Sequence, residues 1–289
     1  MNNCISYSLF TPKQVNGHRH WDKHSSNLRY FYNIPANIFI NSVAYPTWKQ
    51  VFYLSKDLEN TIFGELFIGA KEHLNIDVEF LELPYSNTEP TLWRYKPLIE
   101  NSCDILLPRD IDSITTGPEI IAGNYFIQND QFKFYTIRSH SNHSSEQTIV
   151  LAGLCGFKVR EFDFEMTFNR FYEKQSNQGW GLDQDFLIGL FTNKPDWTSK
   201  HFLDVKIAGR DHVVQDPILP CMSMSIAHDD YATENQVFAH LNSMTDWSGE
   251  PVDIRGMKLK QLFNLNKDKA FALHAMINSS EPLRGFYYG

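Results

Sequence analysis

The chain has 289 residues, a size that fits one large α/β domain or one domain with a small appendage. Hydrophobic residues make up 42% of it and charged residues 21%, as in an ordinary globular protein. Its formal net charge of -8 argues against nucleic-acid binding, which needs a basic face that displaces counterions. The same charge argues against a polybasic membrane anchor.

No stretch approaches the roughly 18 uninterrupted apolar residues that a membrane-spanning helix needs. The beginning, MNNCISYSLFTPK, lacks the charged and apolar regions of a signal peptide, so we expect a cytoplasmic protein. The four cysteines are widely spaced and form no CxxC pair, which predicts reduced thiols instead of a zinc site or disulfides.

Short apolar runs alternate with helical patterns in the first half of the chain. Apolar runs predict strands at residues 4–10, 51–54, 76–83 and 103–107. Apolar residues at helical spacing predict a helix over residues 61–74, and a short helix is expected over 92–99. Strands separated by helices imply parallel βαβ crossovers.

The second half continues this alternation with longer polar segments between its elements. Helices are predicted over residues 119–128 and 162–174 and from Asp183 onward, and strands over 132–137 and 202–207. Residues 138–156 are polar and then punctuated by glycine, and a turn is predicted over 178–181. From about Met257 the pattern indicates a helical or wrapping C-terminal segment.

An acidic motif, Arg109-Asp110-Ile111-Asp112-Ser113, follows the predicted strand 103–107. In open α/β sheets, ligands bind beyond the carboxyl ends of the strands. Two carboxylates at i and i+2 can converge there on Mn²⁺ or Mg²⁺, which prefer carboxylate and diphosphate oxygens. Arg109 could add a charge-assisted contact to phosphate. A solvated turn is the alternative interpretation of the pair.

Four short segments then carry a resemblance: LLPRDIDS, YTIRSHSNH, IVLAGLCGFK and WGLDQDFL. Their order resembles the RDxDS, IMRDHPxH-like, ILGGMWG-like and GEDQxFL-like motifs of bacterial and large-virus glycosyltransferases of the GT-A type. Members of that group are associated with capsular or surface polysaccharide. The matched part spans roughly residues 92–186. The residue usage is also similar to enzymes of algal (chlorella) viruses that decorate the capsid protein, which implies the host cytoplasm if the chain is viral.

This resemblance implies a GT-A-like (Rossmann-like) fold, with a mixed, mainly parallel sheet flanked by helices in a single domain over residues 1–289. Its nucleotide-binding half would be residues 1–113, its acceptor and catalytic half 114–256, and its C-terminal segment 257–289. The implied activity is transfer of a sugar from a nucleotide-sugar donor, a UDP-sugar, to a glycan or glycoprotein acceptor. A divalent ion, Mn²⁺ or Mg²⁺, would assist, and the anomeric centre would invert.

The resemblance also implies roles for single residues. Asp110 and Asp112 would hold the metal and diphosphate, and a late His228 would complete the metal shell unless it is a hydrogen-bonded loop histidine. Asp183 would be the general base that takes the acceptor proton, with Asp185 as the alternative, since Leu182 replaces the glutamate of the related motif. Donor or acceptor contacts would come from the residues aligned with the second and third motifs, which are Arg138, His140, His143 and Gly153.

The nucleotide base and ribose are expected at the end of the first strand, against Ser6, Leu9 and Phe10, and beside the motif residues Arg109, Asp110 and Ile111. Arg94 precedes the motif strand by one helix and is placed to reach phosphate. A salt bridge on a helix surface is the alternative for Arg94.

Two other functions fit part of the sequence. A nucleotidyltransferase or sugar-nucleotide pyrophosphorylase would share the sheet and the metal carboxylates. It normally needs a Gly-rich basic loop after the first strand, and SLFTPKQVNG is a poor version of one. A non-catalytic carbohydrate-binding protein would use the aromatic residues, 14% of the chain, without the acidic motif.

Overall fold

The structure is a computed structural model that describes residues 2–10, 29–32, 34–82, 89–111, 115, 117–138, 150–158, 171, 182–192, 200–208, 223–227, 277 and 280–288. Its strands are β1 (Asn3–Leu9), β2 (Lys49–Ser55), β3 (Ile76–Leu81), β4 (Ile105–Arg109), β5 (Phe134–Arg138), β6 (Cys155–Lys158), β7 (Phe202–Ala208) and β8 (Ser223–Ala227). Its α-helices are α1 (Arg29–Tyr32), α2 (Ile34–Ala44), α3 (Ile62–His73), α4 (Lys96–Ile99), α5 (Gly117–Gln128), α6 (Leu182–Thr192) and α7 (Glu281–Tyr288). Two 3-10 helices cover Lys56–Leu58 and Glu89–Tyr95.

The described strands form one eight-stranded sheet in the order β3-β2-β1-β4-β6-β5-β7-β8. β6 runs antiparallel to both of its neighbours, β4 and β5, and every other pair in the sheet is parallel. This arrangement confirms the predicted fold class, a GT-A-like sheet that is mixed, mainly parallel and flanked by helices.

Each face of the sheet is covered by its own hydrophobic cluster. Successive side chains of a strand point to opposite faces, and in β4 Leu107 joins one cluster while Leu106 joins the other. The first cluster contains residues of α2, α3 and α5, and the second contains residues of the 3-10 helix Glu89–Tyr95, α4 and α6. Burial on both faces explains why the parallel strands are nearly continuous apolar runs.

Most predicted strands lie within two residues of their observed bounds. The motif strand is shifted, since β4 extends through Arg109 and the acidic motif therefore begins inside the strand. The expected helix over residues 92–99 is a 3-10 helix that ends at Tyr95 and continues as α4. The predicted helix over 162–174 lies outside the described residues except for Phe171, and the turn at 178–181 lies outside them entirely.

Five observed elements have no counterpart among the predictions: α1, α2, β6, β8 and the 3-10 helix Lys56–Leu58. Nine of the eleven residues of α2 are buried, so the helix has no polar face that would reveal a helical period. β6 has only four residues and includes Gly156. Among the described residues, the structure contains no helix with the length and apolar character needed to cross a membrane.

Candidate functional site

The carboxyl ends of β1, β4 and β5 and the beginning of β6 lie at one edge of the sheet. Parallel strands end at the same edge, and β6 begins there because it runs in the opposite direction. A bridge between Arg109 and Leu154 marks the point where the end of β4 meets the approach to β6. Three of the sequence motifs have residues near this edge. They are the acidic motif, the glycine-containing segment IVLAGLCGFK and the segment WGLDQDFL, whose residues Asp183–Asp185 are here called the DQD segment.

Arg94 is the centre of a charged cluster at this edge, here called the Arg94 cluster, which consists of Arg94, Asp110 and Asp183. One terminal nitrogen of Arg94 binds Oδ1 of Asp110, and the other binds Oδ2 of Asp183. The first nitrogen also donates to the carbonyl oxygen of Arg109 at 3.3 Å. Two carboxylates and one guanidinium leave the cluster with a formal charge of -1.

The three members of the Arg94 cluster differ in their exposure to solvent. The side chains of Arg94 and Asp183 are only 6% and 12% exposed, whereas that of Asp110 is 44% exposed. Burial by itself lowers the pKa of Arg94, but the carboxylates of Asp110 and Asp183 raise it well above its ordinary value. The guanidinium is therefore a permanent charge, and Asp110 is the member that presents its carboxylate outward.

Two serine hydroxyls of β1 fix the backbone that carries Arg94. The Ser6 hydroxyl donates to the carbonyl oxygen of Arg94 at 2.5 Å, and the amide N–H of Arg94 donates to the Ser8 hydroxyl at 2.9 Å. The 3-10 helix Glu89–Tyr95 is thereby held against β1. Ser6, which was predicted to contact the nucleotide, is fully buried and has its hydroxyl engaged in this contact.

The other predicted base and ribose contacts lie at the end of the same strand. Leu9 is a core residue with 2% exposure. Phe10 is half-buried and packs edge-on against Trp93, with 6.3 Å between the ring centroids. Phe10 is thus the most exposed of these three residues.

Gly153 lies directly against the carboxylate of Asp110. A β-carbon built on Gly153 would stand 1.8 Å from Oδ2 of Asp110 and 2.3 Å from its carboxyl carbon. Both distances are far inside van der Waals contact, so a side chain at position 153 would displace either the carboxylate or the backbone. The structure thereby brings together four predicted site residues, Arg94, Asp110, Gly153 and Asp183.

Arg109 lies on the other face of β4, as strand alternation requires. Its terminal nitrogen is 3.6 Å from Oε1 of Glu119 on α5, and both side chains are buried. Burial lowers the pKa of Arg109, but the charge of Glu119 raises it above its ordinary value. The surrounding tyrosines include Tyr7, whose pKa is raised by its own burial. Arg109 was predicted to contact phosphate, but the structure places its guanidinium inside the core.

Asn37 of the fully buried helix α2 holds the turn of the acidic motif. Its side-chain amide donates to the carbonyl oxygen of Ile111 at 3.0 Å. Four residues later on the same helix, Asn41 donates to the Tyr7 hydroxyl at 2.5 Å. The predicted nucleotide contact Ile111 is itself 3% exposed, so its side chain anchors the turn in the core.

Arg138 stands at the carboxyl end of β5 and is 1% exposed. Its Nε atom is 2.9 Å from Oδ1 of Asp204, a fully buried residue of the neighbouring strand β7. In the strand register Asp204 is paired with Thr136, so the ion pair runs diagonally between the strands. Arg138 thus joins β5 to β7 and belongs to a second buried pair, separate from the Arg94 cluster.

Four predicted site residues lie outside the described residues: Asp112, His140, His143 and His228. Among the residues that the structure does describe, no group of three or more His, Cys, Asp or Glu side chains is placed to hold a metal ion. Within the Arg94 cluster, Asp110 is the more exposed of the two carboxylates and so the one that can offer a hard oxygen ligand. Its half-exposed carboxylate and the negative charge of its cluster suit a divalent cation as a neighbour.

Several residues of the site were not among the predicted ones. Ser8, Asn37, Tyr95 and Gln184 all bind backbone groups of site segments. Gln184 adjoins Asp183 in the segment WGLDQDFL, which is the one sequence signal for it. The others contact residues far away in the chain, and no local pattern marks them.

Comparison with known proteins gives a sparse result. No protein-family model matches the chain, and no curated protein matches it significantly. One solved structure that it resembles is the crystal structure of the galactosyltransferase LgtC in complex with donor and acceptor sugar analogs. The TM-score is 0.42 and the identity 12%, over 98% of this chain and 99% of the other. At that identity the likeness assigns no role to any residue.

Proposed function

We propose that this chain is a glycosyltransferase that moves a sugar from a nucleotide-sugar donor, a UDP-sugar, to a glycan or glycoprotein acceptor. The observation that carries the proposal is the Arg94 cluster. It unites Asp110 of the RDIDS motif with Asp183 of the DQD segment, 73 residues further along the chain, through one buried guanidinium. Its position at the carboxyl ends of parallel strands is where α/β sheets bind nucleotides.

The charge of the cluster fits a donor diphosphate only with a cation between them. The cluster has a formal charge of -1, and a diphosphate brings further negative charge. We infer that Asp110, Asp112 and His228 hold Mn²⁺ or Mg²⁺ at this place, with Asp110 contributing its outward carboxylate. When bound, such an ion neutralises charge on the leaving diphosphate.

The reaction in this proposal is an inverting displacement. The acceptor oxygen forms a bond to the anomeric carbon, while the bond from that carbon to the diphosphate oxygen breaks and its electron pair leaves with the diphosphate. The acceptor proton passes to the carboxylate of Asp183. Oδ2 of Asp183 binds Arg94, and Oδ1 accepts the backbone N–H of Gln184 at 2.9 Å. Each carboxylate oxygen has a second lone pair for the proton.

The proposal is tested by thermal shift with UDP, GDP, CDP and dTDP, each with and without Mn²⁺. We expect stabilisation by UDP that requires Mn²⁺, of about 2.7 kcal/mol at a ligand concentration of 100 Kd. Asp110→Asn should lose this metal-dependent part. Asp130→Asn is the matched control, since Asp130 is fully exposed and pairs with Lys158 at the opposite edge of the sheet.

Two results would contradict the proposal. The first is that no nucleoside diphosphate stabilises the protein in a metal-dependent way. The second is that Asp110→Asn retains the full metal-dependent shift of the unaltered chain. Stabilisation by a different diphosphate would correct the donor base and leave the proposed sugar transfer in place.

A further inference from the structure

The side-chain amide of Gln184 binds two peptide groups of the segment that precedes β6. Its Oε1 accepts the N–H of Ala152 at 3.2 Å, and its Nε2 donates to the carbonyl oxygen of Val150. The amide therefore pairs with this segment as a neighbouring strand would. Two bonds from one planar amide restrain the orientation of the segment as well as its position.

Tyr95 holds the same segment from a second element. Its hydroxyl donates to the carbonyl oxygen of Ala152 at 2.6 Å. Ala152 thus has its N–H bound by α6 and its carbonyl bound by the 3-10 helix Glu89–Tyr95. A third contact comes from β5, where the Thr136 hydroxyl accepts the N–H of Leu151 at 3.0 Å.

These bonds act on the residue next to Ala152, which is Gly153. Because the peptide before Gly153 is fixed, the α-carbon of Gly153 stays against the carboxylate of Asp110, with no space for a β-carbon. Arg94 binds the same carboxylate through Oδ1. The orientation of the Asp110 carboxylate is thus set by Arg94 on one side and by the Gly153 backbone on the other.

We propose that Gln184 is a positioning residue, which fixes the Gly153 backbone and through it the direction in which Asp110 faces the donor diphosphate. This inference rests on the proposed glycosyltransferase function. Glutamine has both the donor and the acceptor that this position requires. Glutamate would lack the donor for Val150 and would add a negative charge beside Asp183, while methionine would keep the length and lose both bonds.

A double-mutant cycle with Gln184→Met and Gly153→Ala tests the proposal. The measured quantities are the Kd for UDP with Mn²⁺ and amide hydrogen exchange over residues 150–154. We expect Gln184→Met to weaken metal-dependent UDP binding about 10-fold and Gly153→Ala about 30-fold. Both losses correspond to free energies within the range of interaction energies between residues in contact. The double variant should bind within about threefold of Gly153→Ala, because a released segment can move away from the added methyl group.

Gln50→Met is the control for loss of a buried amide. Gln50 is 2% exposed and donates to the carbonyl oxygen of Ile38 at 3.0 Å, but its side chain faces α2, on the opposite face of the sheet from the 3-10 helix Glu89–Tyr95 and α6. It should lower the melting temperature as much as Gln184→Met does. In Gln50→Met, amide hydrogen exchange over residues 150–154 and metal-dependent UDP binding should both be unchanged. Gln184→Glu should bind UDP more weakly than Gln184→Met.

The possible outcomes separate this inference from the function on which it rests. One outcome is that the unaltered chain binds UDP normally with Mn²⁺ while the loss of affinity in the double variant equals the product of the two single losses. That result would overturn the positioning role alone. Absence of metal-dependent binding by the unaltered chain would overturn both. If Gly153→Ala does not fold, Tyr95→Phe replaces it in the cycle, since that change removes only the hydroxyl bond to Ala152.

Discussion

The two edges of the sheet each carry a cluster of three charged side chains, with opposite net charges and very different burial. At the carboxyl edge, the Arg94 cluster holds two carboxylates on a guanidinium that is 6% exposed. At the amino edge, Asp77 binds Lys71 at 2.9 Å and Lys49 at 3.4 Å, and all three side chains are 43–54% exposed. We call these three residues the Asp77 cluster.

This difference in burial decides how much stability is lost when one member of each cluster is removed. Exposed ion pairs are screened by water and contribute 0 to about 1 kcal/mol to stability. A buried pair contributes little net stability when intact, but removal of one partner costs about 3–5 kcal/mol because a charge is left without compensation. An arrangement that is this sensitive and adds little to stability is typical of functional sites.

The largest effect is expected from Arg94→Leu. This change leaves Asp110 and Asp183 close together without their shared cation, and we expect a loss of about 3 kcal/mol in the free energy of unfolding. Urea denaturation measures it. Lys71→Leu, the matched change in the Asp77 cluster, should cost less than about 1 kcal/mol. Equal losses in the two variants would contradict the contrast between the edges.

An intermediate effect on stability and a large effect on turnover are expected from Asp183→Asn. The size of the side chain is kept, and Arg94 retains Asp110 as its partner. If Asp183 is the general base, turnover should fall about 10²–10⁴-fold while the Kd for the donor changes only a few-fold. Single-turnover kinetics with donor titration separates the two quantities. Turnover at the original rate would remove Asp183 from the base role.

The smallest effect is expected from Asp77→Asn. Burial by itself raises the pKa of Asp77, but the hydrogen bond and charge of Lys71 and the charge of Lys49 lower it below its ordinary value. A lowered folded-state pKa gives stability that is present above the ordinary value of about 3.9 and is lost as the pH falls through the folded value. The variant should therefore be less stable by about 0.5 kcal/mol at pH 7 and by less at pH 3. Paired urea titrations at both pH values check this, and a difference that grows on acidification would contradict it.

The sequence predicted much of the sheet because local patterns encode it. The runs that became β1, β3 and β4 are apolar stretches followed by proline or by the acidic motif, and the predicted motif strand correctly placed Asp110 at the carboxyl edge of the sheet. Helix α2 could not be found this way, because a helix buried on all sides has no amphipathic period.

The internal structure of the site was not predictable, because its bonds join residues that are distant in the chain. Arg94 was expected to bind phosphate, yet its two carboxylate partners lie 16 and 89 residues away. No spacing rule connects such positions, and only the fold brings them together. The same holds for the Asn37 bond to Ile111, which spans 74 residues.

The reversed direction of β6 has a consequence for how chains with this fold can diverge. A connection between two parallel strands must cross the sheet from one edge to the other, so its length is constrained by the crossing. β5 ends and β6 begins at the same edge, beside Asp110 and Gly153. Residues can therefore be gained or lost between them without a change in strand register, so the length of this connection can evolve separately from the stability of the sheet.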